Sequence, residues 1–184
     1  MNLALQMLLC LLAADLLSGL FHWFEDTYLV VGDIAWLNER VTVPNLRHHE
    51  YPGSMHGSSW LELNALGVVL TATIAAGAWL SGCHAWEIYA SLAMASHANQ
   101  THHWAHCSKR PEVVRWLQRL GLLLSIRHHA LHHKRPQMVN YCVMTDLLNP
   151  LLDWLKFWRG LEFVISCAGI QVKRRNGNHI IGPQ

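Results

Sequence analysis

The segment from Leu3 to Phe21 contains no lysine or arginine and only one acidic residue, Asp15. A helix of about 19 residues rises roughly 28 Å, close to the thickness of the hydrocarbon core of a bilayer. A cleaved signal peptide would instead begin with positive charge, whereas the first lysine or arginine in this sequence is Arg40. The segment therefore predicts a transmembrane helix.

Two further apolar segments follow, from about Leu61 to Leu80 and from about Trp86 to His106. The short connection between them, residues 81–84, predicts a helical hairpin. Only 14% of the residues are Asp, Glu, Lys or Arg, against about 25% in a typical soluble domain. We therefore expect an all-α fold of polytopic membrane helices, with about three spans, a cytosolic His-rich helical cap and interfacial amphipathic helices.

The positive charges predict a topology. Of the 14 lysines and arginines, Arg40 and Arg47 lie between the first two spans and the other twelve lie from Lys109 onward. Because lysine and arginine concentrate in cytosolic loops, both regions should face the cytosol, as three spans allow. The sequence predicts an integral membrane protein of the endoplasmic reticulum if eukaryotic, or of the inner membrane if bacterial. A net charge of +2 and the lack of a continuous basic and aromatic surface argue against a nucleic-acid partner.

We expect one domain over 1–184, with the spans and the first cytosolic loop in 1–107, a cytosolic and interfacial cap in 108–172 and a basic tail in 173–184. Asn149 and Pro150 predict the start of a helix. The apolar residues after them would form one face of a helix lying on the membrane: Leu151, Leu152, Leu155 and Trp158. Asp15, inside the first span, should have a structural partner on span two or three, because an unpaired carboxylate is costly there.

Most histidines stand in pairs whose spacing directs the imidazoles to a common point. Residues four apart share one face of a helix, and the sequence repeats this spacing at the cytosolic end of spans one and three and twice within residues 128–133. A further histidine doublet lies in the first loop. The predicted metal ligands are His22, Asp26, His48, His49, His102, His106, His128, His129, His132 and His133. The other five histidines lack such a pattern and are not predicted ligands: His56, His84, His97, His103 and His179.

Nine neutral imidazoles in a small space are most readily organised by metal ions. A single zinc ion takes four ligands, and no thiolates converge that would favour copper(I) or an iron–sulfur cluster. The number of histidines therefore indicates two metals, as in a pair of irons that activates dioxygen beside the bilayer. Asp26 would either bridge the ions or accept a hydrogen bond from a ligand. Such a centre suits the oxidation of an unactivated C–H bond, which side chains alone cannot perform.

The order of these motifs resembles the lipid desaturase (Kua) family, which includes plasmanylethanolamine desaturases and a plant plastid desaturase that acts on phosphatidylglycerol. Nearly the whole chain carries the resemblance, in the residues 14–19 (Ala-Asp-Leu-Leu-Ser-Gly), His22-Trp23, Asp26-Thr27, His48-His49 with Pro52, Asn99-Gln100, His102, Trp104, His106, Arg127-His128-His129, His132-His133, Leu148-Asn149 and Phe157-Trp158-Arg159. The ten ligand positions that the resemblance implies coincide with those that the spacing predicts.

The resemblance implies a membrane di-iron oxidase that uses dioxygen and electrons from a carrier such as cytochrome b5 or ferredoxin. Its substrate would be a membrane phospholipid. The first expectation is the conversion of plasmanylethanolamine into plasmenylethanolamine, the vinyl ether of a plasmalogen. The second is desaturation of a phospholipid acyl chain, as in phosphatidylglycerol.

Two other classes of function stay open on the residues alone. A membrane zinc hydrolase would need three of the histidines and a carboxylate base such as Glu25 or Glu50. A divalent-metal transporter would place its ligands near the middle of the membrane, whereas these histidines gather at the ends of the spans.

Overall fold

The computed structural model describes residues 2–32, 34–55 and 57–173. The predicted basic tail after Lys173, together with His56 and His179, lies outside these residues. Within these ranges the chain forms ten α-helices, one π-helical turn and one 3-10 turn, and no strand. The predicted all-α fold is confirmed.

The first helix, α1, runs from Leu3 to Tyr28 and is longer than the predicted span. It begins at Asn2, whose side-chain oxygen accepts a hydrogen bond from the backbone N–H of Ala4. Its early apolar side chains, such as Leu5, are exposed, whereas seven of the ten buried residues of the helix lie in its second half. The first half of α1 therefore presents the surface expected of a helix in contact with lipid.

The predicted hairpin is present, but its second arm is interrupted. Helix α4 (Trp60–Leu80) begins with a capping box between Ser59 and Glu62. Two helices follow the turn, α5 (Trp86–Ala95) and α6 (Ala98–His106). They are separated at Ser96 and His97, whose side chains both lie close to the carbonyl oxygen of Ala93, at 2.8 Å and 3.0 Å. Polar side chains that compete for a helix carbonyl weaken the helix locally.

Two of the described helices, α1 and α4, are long and apolar enough to cross a membrane by length and composition. The predicted third span is α5 and α6 together, so the count of three spans is approximate. Helix α5 packs against both α1 and α4, and α6 packs against α4. This bundle places the C-terminal end of α1, the N-terminal end of α4 and the end of α6 on the same side.

The remaining elements gather at that end of the bundle. Between α1 and α4 lie α2 (Ala35–Leu37), the π-helical turn (Asn38–Thr42), α3 (Val43–Glu50) and the 3-10 turn (Pro52–Met55). After α6 come α7 (Glu112–Arg119), α8 (Ile126–His132), α9 (Asn149–Trp154) and α10 (Phe157–Cys167). These short elements form a cap over the ends of the long helices.

The helix predicted after Asn149 is broken, and the single apolar face expected for it is wrong. Lys156 has a positive φ of 52°, which ends α9 and changes the direction of the chain before α10. Leu155 is exposed, whereas Trp158 is 1% exposed and packs against Trp23 and Tyr141. Leu155 and Trp158 therefore do not share a face.

The segment 139–148 attaches the cap to α1 through hydrogen bonds. The Asp15 carboxylate accepts hydrogen bonds from the backbone N–H groups of Met144 and Thr145, at 2.9 Å and 3.1 Å, and from the Thr145 hydroxyl. The prediction of a structural partner for Asp15 is therefore confirmed. Its expected position on span two or three is wrong, because the partner belongs to a loop of the cap.

Candidate metal centre

Nine of the ten predicted ligands form two groups in the structure. In the five-histidine group, one ligand atom from each residue lies within 4.8 Å of all the others. The same holds for the aspartate group, which has three histidines and one carboxylate. The five-histidine group is His48, His102, His106, His129 and His133, and the aspartate group is His22, Asp26, His49 and His132.

Three helices and the first loop supply these side chains. Helix α1 contributes His22 and Asp26, one turn apart, and α6 contributes His102 and His106 with the same spacing. Helix α3 contributes adjacent histidines, so that His48 enters the five-histidine group and His49 the aspartate group. Residues from the end of α8 enter both groups as well. The two groups are therefore neighbours within one cluster of rings.

The five-histidine group converges on His129. The Nε2 atom of His129 lies 2.8 Å from Nε2 of His102, 2.8 Å from Nε2 of His106 and 2.9 Å from Nε2 of His133. One ring nitrogen cannot satisfy three others by hydrogen bonding, because it carries at most one proton or one lone pair. Nitrogens bound about 2.1 Å from one ion, at right angles, are about 3 Å apart. The spacing therefore fits ligands of a single metal ion.

Burial favours the neutral form of several imidazoles in this group. Burial, followed by the neighbouring histidine rings, lowers the pKa of His48 and His129 well below the ordinary value of 6.5. The same causes lower the pKa of His133 to about 3. Both ring nitrogens of His48 are buried without a hydrogen-bond partner among the described residues. Buried polar atoms of this kind are rare unless something binds them, and neutral imidazole is the form that binds metal.

The aspartate group is built around the Asp26 carboxylate. Its Oδ1 lies 3.0 Å from Nε2 of His49, and its Oδ2 lies 3.2 Å from Nε2 of His132 and 3.7 Å from Nε2 of His22. A carboxylate and three imidazoles form a donor set that suits iron and related divalent metals. Asp26 can serve either as a ligand or as a hydrogen-bond acceptor in this arrangement.

Backbone carbonyls orient two histidines of the aspartate group. Nδ1 of His22 lies 3.1 Å from the carbonyl oxygen of Tyr141, and Nδ1 of His132 lies 2.8 Å from that of Val139. A carbonyl accepts only, so each Nδ1 carries a proton, and in the neutral ring Nε2 keeps a free lone pair. This arrangement is the usual support of a metal-binding histidine. The residues present therefore fit a second metal ion.

His128 is the predicted ligand that the structure does not bring into either group. Its Nδ1 lies 3.9 Å from Oδ1 of Asp146, and its backbone N–H donates to the Ser125 side chain that caps α8. His129, His132 and His133, at the end of α8, face the cluster, and His128 lies outside it. The role of His128 as a ligand stays a prediction without support from this geometry.

Sequence reasoning missed the groups that position the ligands. The Asn45 side-chain amide donates to Oδ1 of Asp26 at 2.8 Å, and the carbonyls of Val139 and Tyr141 orient two ligand rings. Asn45 lies three residues before His48, on the same side of α3, and that spacing could have identified it. The carbonyl groups carry no signal in the sequence, because every residue has one.

A cavity of about 840 Å³ extends from the metal centre between α1, α3, α4 and α6. His22, His48 and His102 line it at the cap end, while Leu17 and Leu70 line it farther along α1 and α4. From Glu25 to Leu17 the cavity follows α1 for about 12 Å. Its volume is in the range of small-molecule binding sites, and its lining changes from polar to apolar with distance from the cap.

Comparison with known proteins assigns the chain to a family. The model of the lipid desaturase domain matches residues 11–175. The chain is 30% identical to plasmanylethanolamine desaturase of Myxococcus xanthus and 29% identical to plasmanylethanolamine desaturase 1 of Mus musculus, over 88% and 84% of its length. It is 33% identical to the chloroplastic fatty acid desaturase 4 of Arabidopsis thaliana over 82% of its length. The matches cover 59%, 62% and 48% of these relatives. No solved structure matches the chain.

Proposed function

Because this chain belongs to the lipid desaturase family, we propose that it is a membrane-embedded, iron-dependent enzyme that introduces a double bond into a phospholipid chain. The observation that carries the proposal is the pair of ligand groups, since two adjacent sites with nine donors exceed the needs of one zinc ion. Dioxygen is the oxidant. One O2, two electrons and two protons remove two hydrogens from adjacent carbons and yield two waters.

The five-histidine group would hold one iron and the aspartate group the other. When bound, the irons supply the oxidising power that amino-acid side chains lack. The protein holds the nine donors in place, keeps the buried rings neutral and excludes water from the reacting carbons. The electrons would come from a carrier of the cytochrome b5 or ferredoxin type. The distribution of lysine and arginine supports a location of this site on the cytosolic side.

The cavity supports a lipid chain as the substrate. Its apolar end lies along the membrane-spanning helices, and its polar end lies beside His22 and His48. A phospholipid with its headgroup at the cap would therefore present the first carbons of its chain to the metal centre. This placement supports plasmanylethanolamine as the first candidate, because its vinyl ether forms next to the ether oxygen.

An acyl chain is the second candidate substrate. The relative from Arabidopsis thaliana is called a fatty acid desaturase and is 33% identical to this chain. An ester-linked chain would enter the same cavity with the same orientation. The position of the double bond in the product then distinguishes an ester-linked chain from an ether-linked chain.

The proposal is tested by turnover in a defined bilayer. Full-length protein loaded with ferrous iron is incorporated into nanodiscs that contain plasmanylethanolamine or diacyl phosphatidylglycerol, with a reductant, an electron carrier and O2. We expect a product that is two hydrogens lighter in mass spectrometry and, for the ether lipid, sensitive to acid as a vinyl ether. The absence of any desaturated lipid from iron-loaded protein with either substrate would contradict the proposal.

A further inference from the structure

We infer that the mouth of the cavity is a binding site for a zwitterionic phospholipid headgroup, in which Arg40 and Arg47 bind the phosphodiester and Glu39 binds the ammonium group. This inference rests on the proposed function, because it concerns the lipid whose chain occupies the cavity. All three side chains line the cavity and are exposed at the cap end.

The two arginines are available for a ligand. Neither guanidinium group has a hydrogen bond or ion pair with any other residue in the described part of the chain. Arg40 lies in the π-helical turn and Arg47 in α3, seven residues later. Both residues line the same cavity, so their side chains reach one space from two successive helical segments. The long stems of the side chains allow both guanidinium groups to reach one phosphate between them.

A phosphodiester is the ligand that this chemistry favours. Guanidinium groups bind phosphate through paired, charge-assisted hydrogen bonds, and the two free oxygens of a phosphodiester can accept from both arginines. The phosphate of a membrane lipid lies at the headgroup level, next to the apolar chain region. In this cavity the arginines have the same relation to the apolar lining formed by residues such as Leu66 and Leu70.

Carboxylates at the same mouth favour a headgroup that also carries a positive charge. Glu25, Glu39 and Glu62 line the cavity together with the two arginines. The Glu62 carboxylate is engaged by Ser59 in the cap of α4, whereas Glu39 is exposed beside Arg40. A headgroup with a phosphate and an ammonium group is complementary to these arginines and carboxylates. A purely anionic headgroup is repelled by the carboxylates.

Headgroup binding is connected to the metal centre through one short segment. Arg47 immediately precedes the ligands His48 and His49 on α3, and Asn45 on the same helix holds Asp26. A lipid bound by these arginines therefore lies against the helix that supplies donors to both metal groups. This arrangement fixes the distance between the phosphate and the reacting carbons.

The test is lipid binding by iron-loaded full-length protein under argon, which prevents turnover. Native mass spectrometry measures the affinities for dialkyl phosphatidylethanolamine, dialkyl phosphatidylglycerol and a dialkylglycerol without a headgroup. The variants are Arg40→Gln, Arg47→Gln and Glu39→Gln. Arg119→Gln is the matched control, because Arg119 is exposed on α7 and does not line the cavity.

We expect each of the two cavity arginine variants to bind both phospholipids roughly tenfold more weakly, with unchanged binding of the dialkylglycerol. Glu39→Gln should weaken phosphatidylethanolamine binding and leave phosphatidylglycerol binding equal or stronger. Arg119→Gln should match the wild type. Unchanged phospholipid binding by Arg40→Gln and Arg47→Gln would overturn the inference, as would an equal loss for the dialkylglycerol.

Arg40→Gln provides a test that is independent of the ligand helix, since Arg40 is eight residues away from His48. Its iron content should equal that of the wild type. The proposed function can fail separately. If wild-type protein binds phosphatidylethanolamine through the arginines but forms no double bond with O2 and electrons, the proposed desaturation is wrong. The headgroup site is then still supported.

Discussion

The ring of His129 occupies the centre of the five-histidine group, because its Nε2 atom is within 2.9 Å of three other Nε2 atoms. Replacing it with alanine removes the donor on which the others converge. We expect His129→Ala to lose at least half of its bound iron, measured by elemental mass spectrometry on detergent-purified protein. His84→Ala is the control, since His84 is exposed at the far end of the hairpin, and it should keep the wild-type iron content.

His128 provides a sharper comparison at the neighbouring position. Its side chain faces Asp146 and not the clustered rings. The geometry therefore predicts that His128→Ala keeps its iron while His129→Ala does not. Iron loss in His128→Ala that equals the loss in His129→Ala would restore the sequence-based expectation that both are ligands, and would show that α8 is rotated relative to its position here.

At the scale of elements, the contact between α1 and the segment 139–148 depends on a glycine. A Cβ atom at Gly19 would lie 2.6 Å from Sγ of Cys142 and 3.0 Å from the Trp158 ring. We expect Gly19→Ala to destabilise the fold by about 1–3 kcal/mol through overpacking, measured as a lower thermal unfolding midpoint. A Cβ at Gly77 in α4 meets no atom within 4 Å, so Gly77→Ala should leave the midpoint equal or higher.

Asp15, one turn before Gly19 on α1, binds the same segment through hydrogen bonds. Asp15→Ala would leave the buried N–H groups of Met144 and Thr145 without their acceptor, at a cost of about 1–3 kcal/mol each. The segment also carries the carbonyls that orient His22 and His132. We therefore expect Asp15→Ala to lower both the unfolding midpoint and the iron content. Normal iron binding in an otherwise destabilised variant would show that the segment does not position these rings.

The helices and the grouping of nine donor side chains could be predicted from the sequence because their signals are local. The spacing of four residues places His102 and His106 on one face of a helix whatever the rest of the chain does, and the same holds for His22 and Asp26. The break at Ser96 and His97, the turn at Lys156 and the path of residues 139–148 depend on tertiary contacts. No periodicity in the sequence indicates these features. The sequence therefore predicted one continuous helix where the structure has α5 and α6.

The position of His128 outside the two groups has a related reason. The segment 128–133 contains two pairs of histidines at helical spacing, and the spacing alone cannot tell how many turns of the helix face the cluster. In the structure only the last turn does. The partner of Asp15 could not be predicted from local sequence patterns either, since it lies 129 residues away along the chain.

For the whole molecule, the fold joins a bundle of apolar helices to a polar cap, and the metal centre lies where they meet. The donors come from α1, α3, α6 and α8, so both ligand groups form only when the bundle and cap are assembled. Metal binding and folding are coupled in such a site. We expect iron removal by a chelator to lower the thermal unfolding midpoint of the wild type by several degrees, and readdition of ferrous iron to restore it.

The proposed function requires that one chain bind two irons through nine donors. The most direct measurement is the metal content per chain of detergent-purified protein after loading with ferrous iron, by elemental mass spectrometry. We expect about two irons per chain. One zinc ion per chain, or no stoichiometric metal after loading, would contradict it.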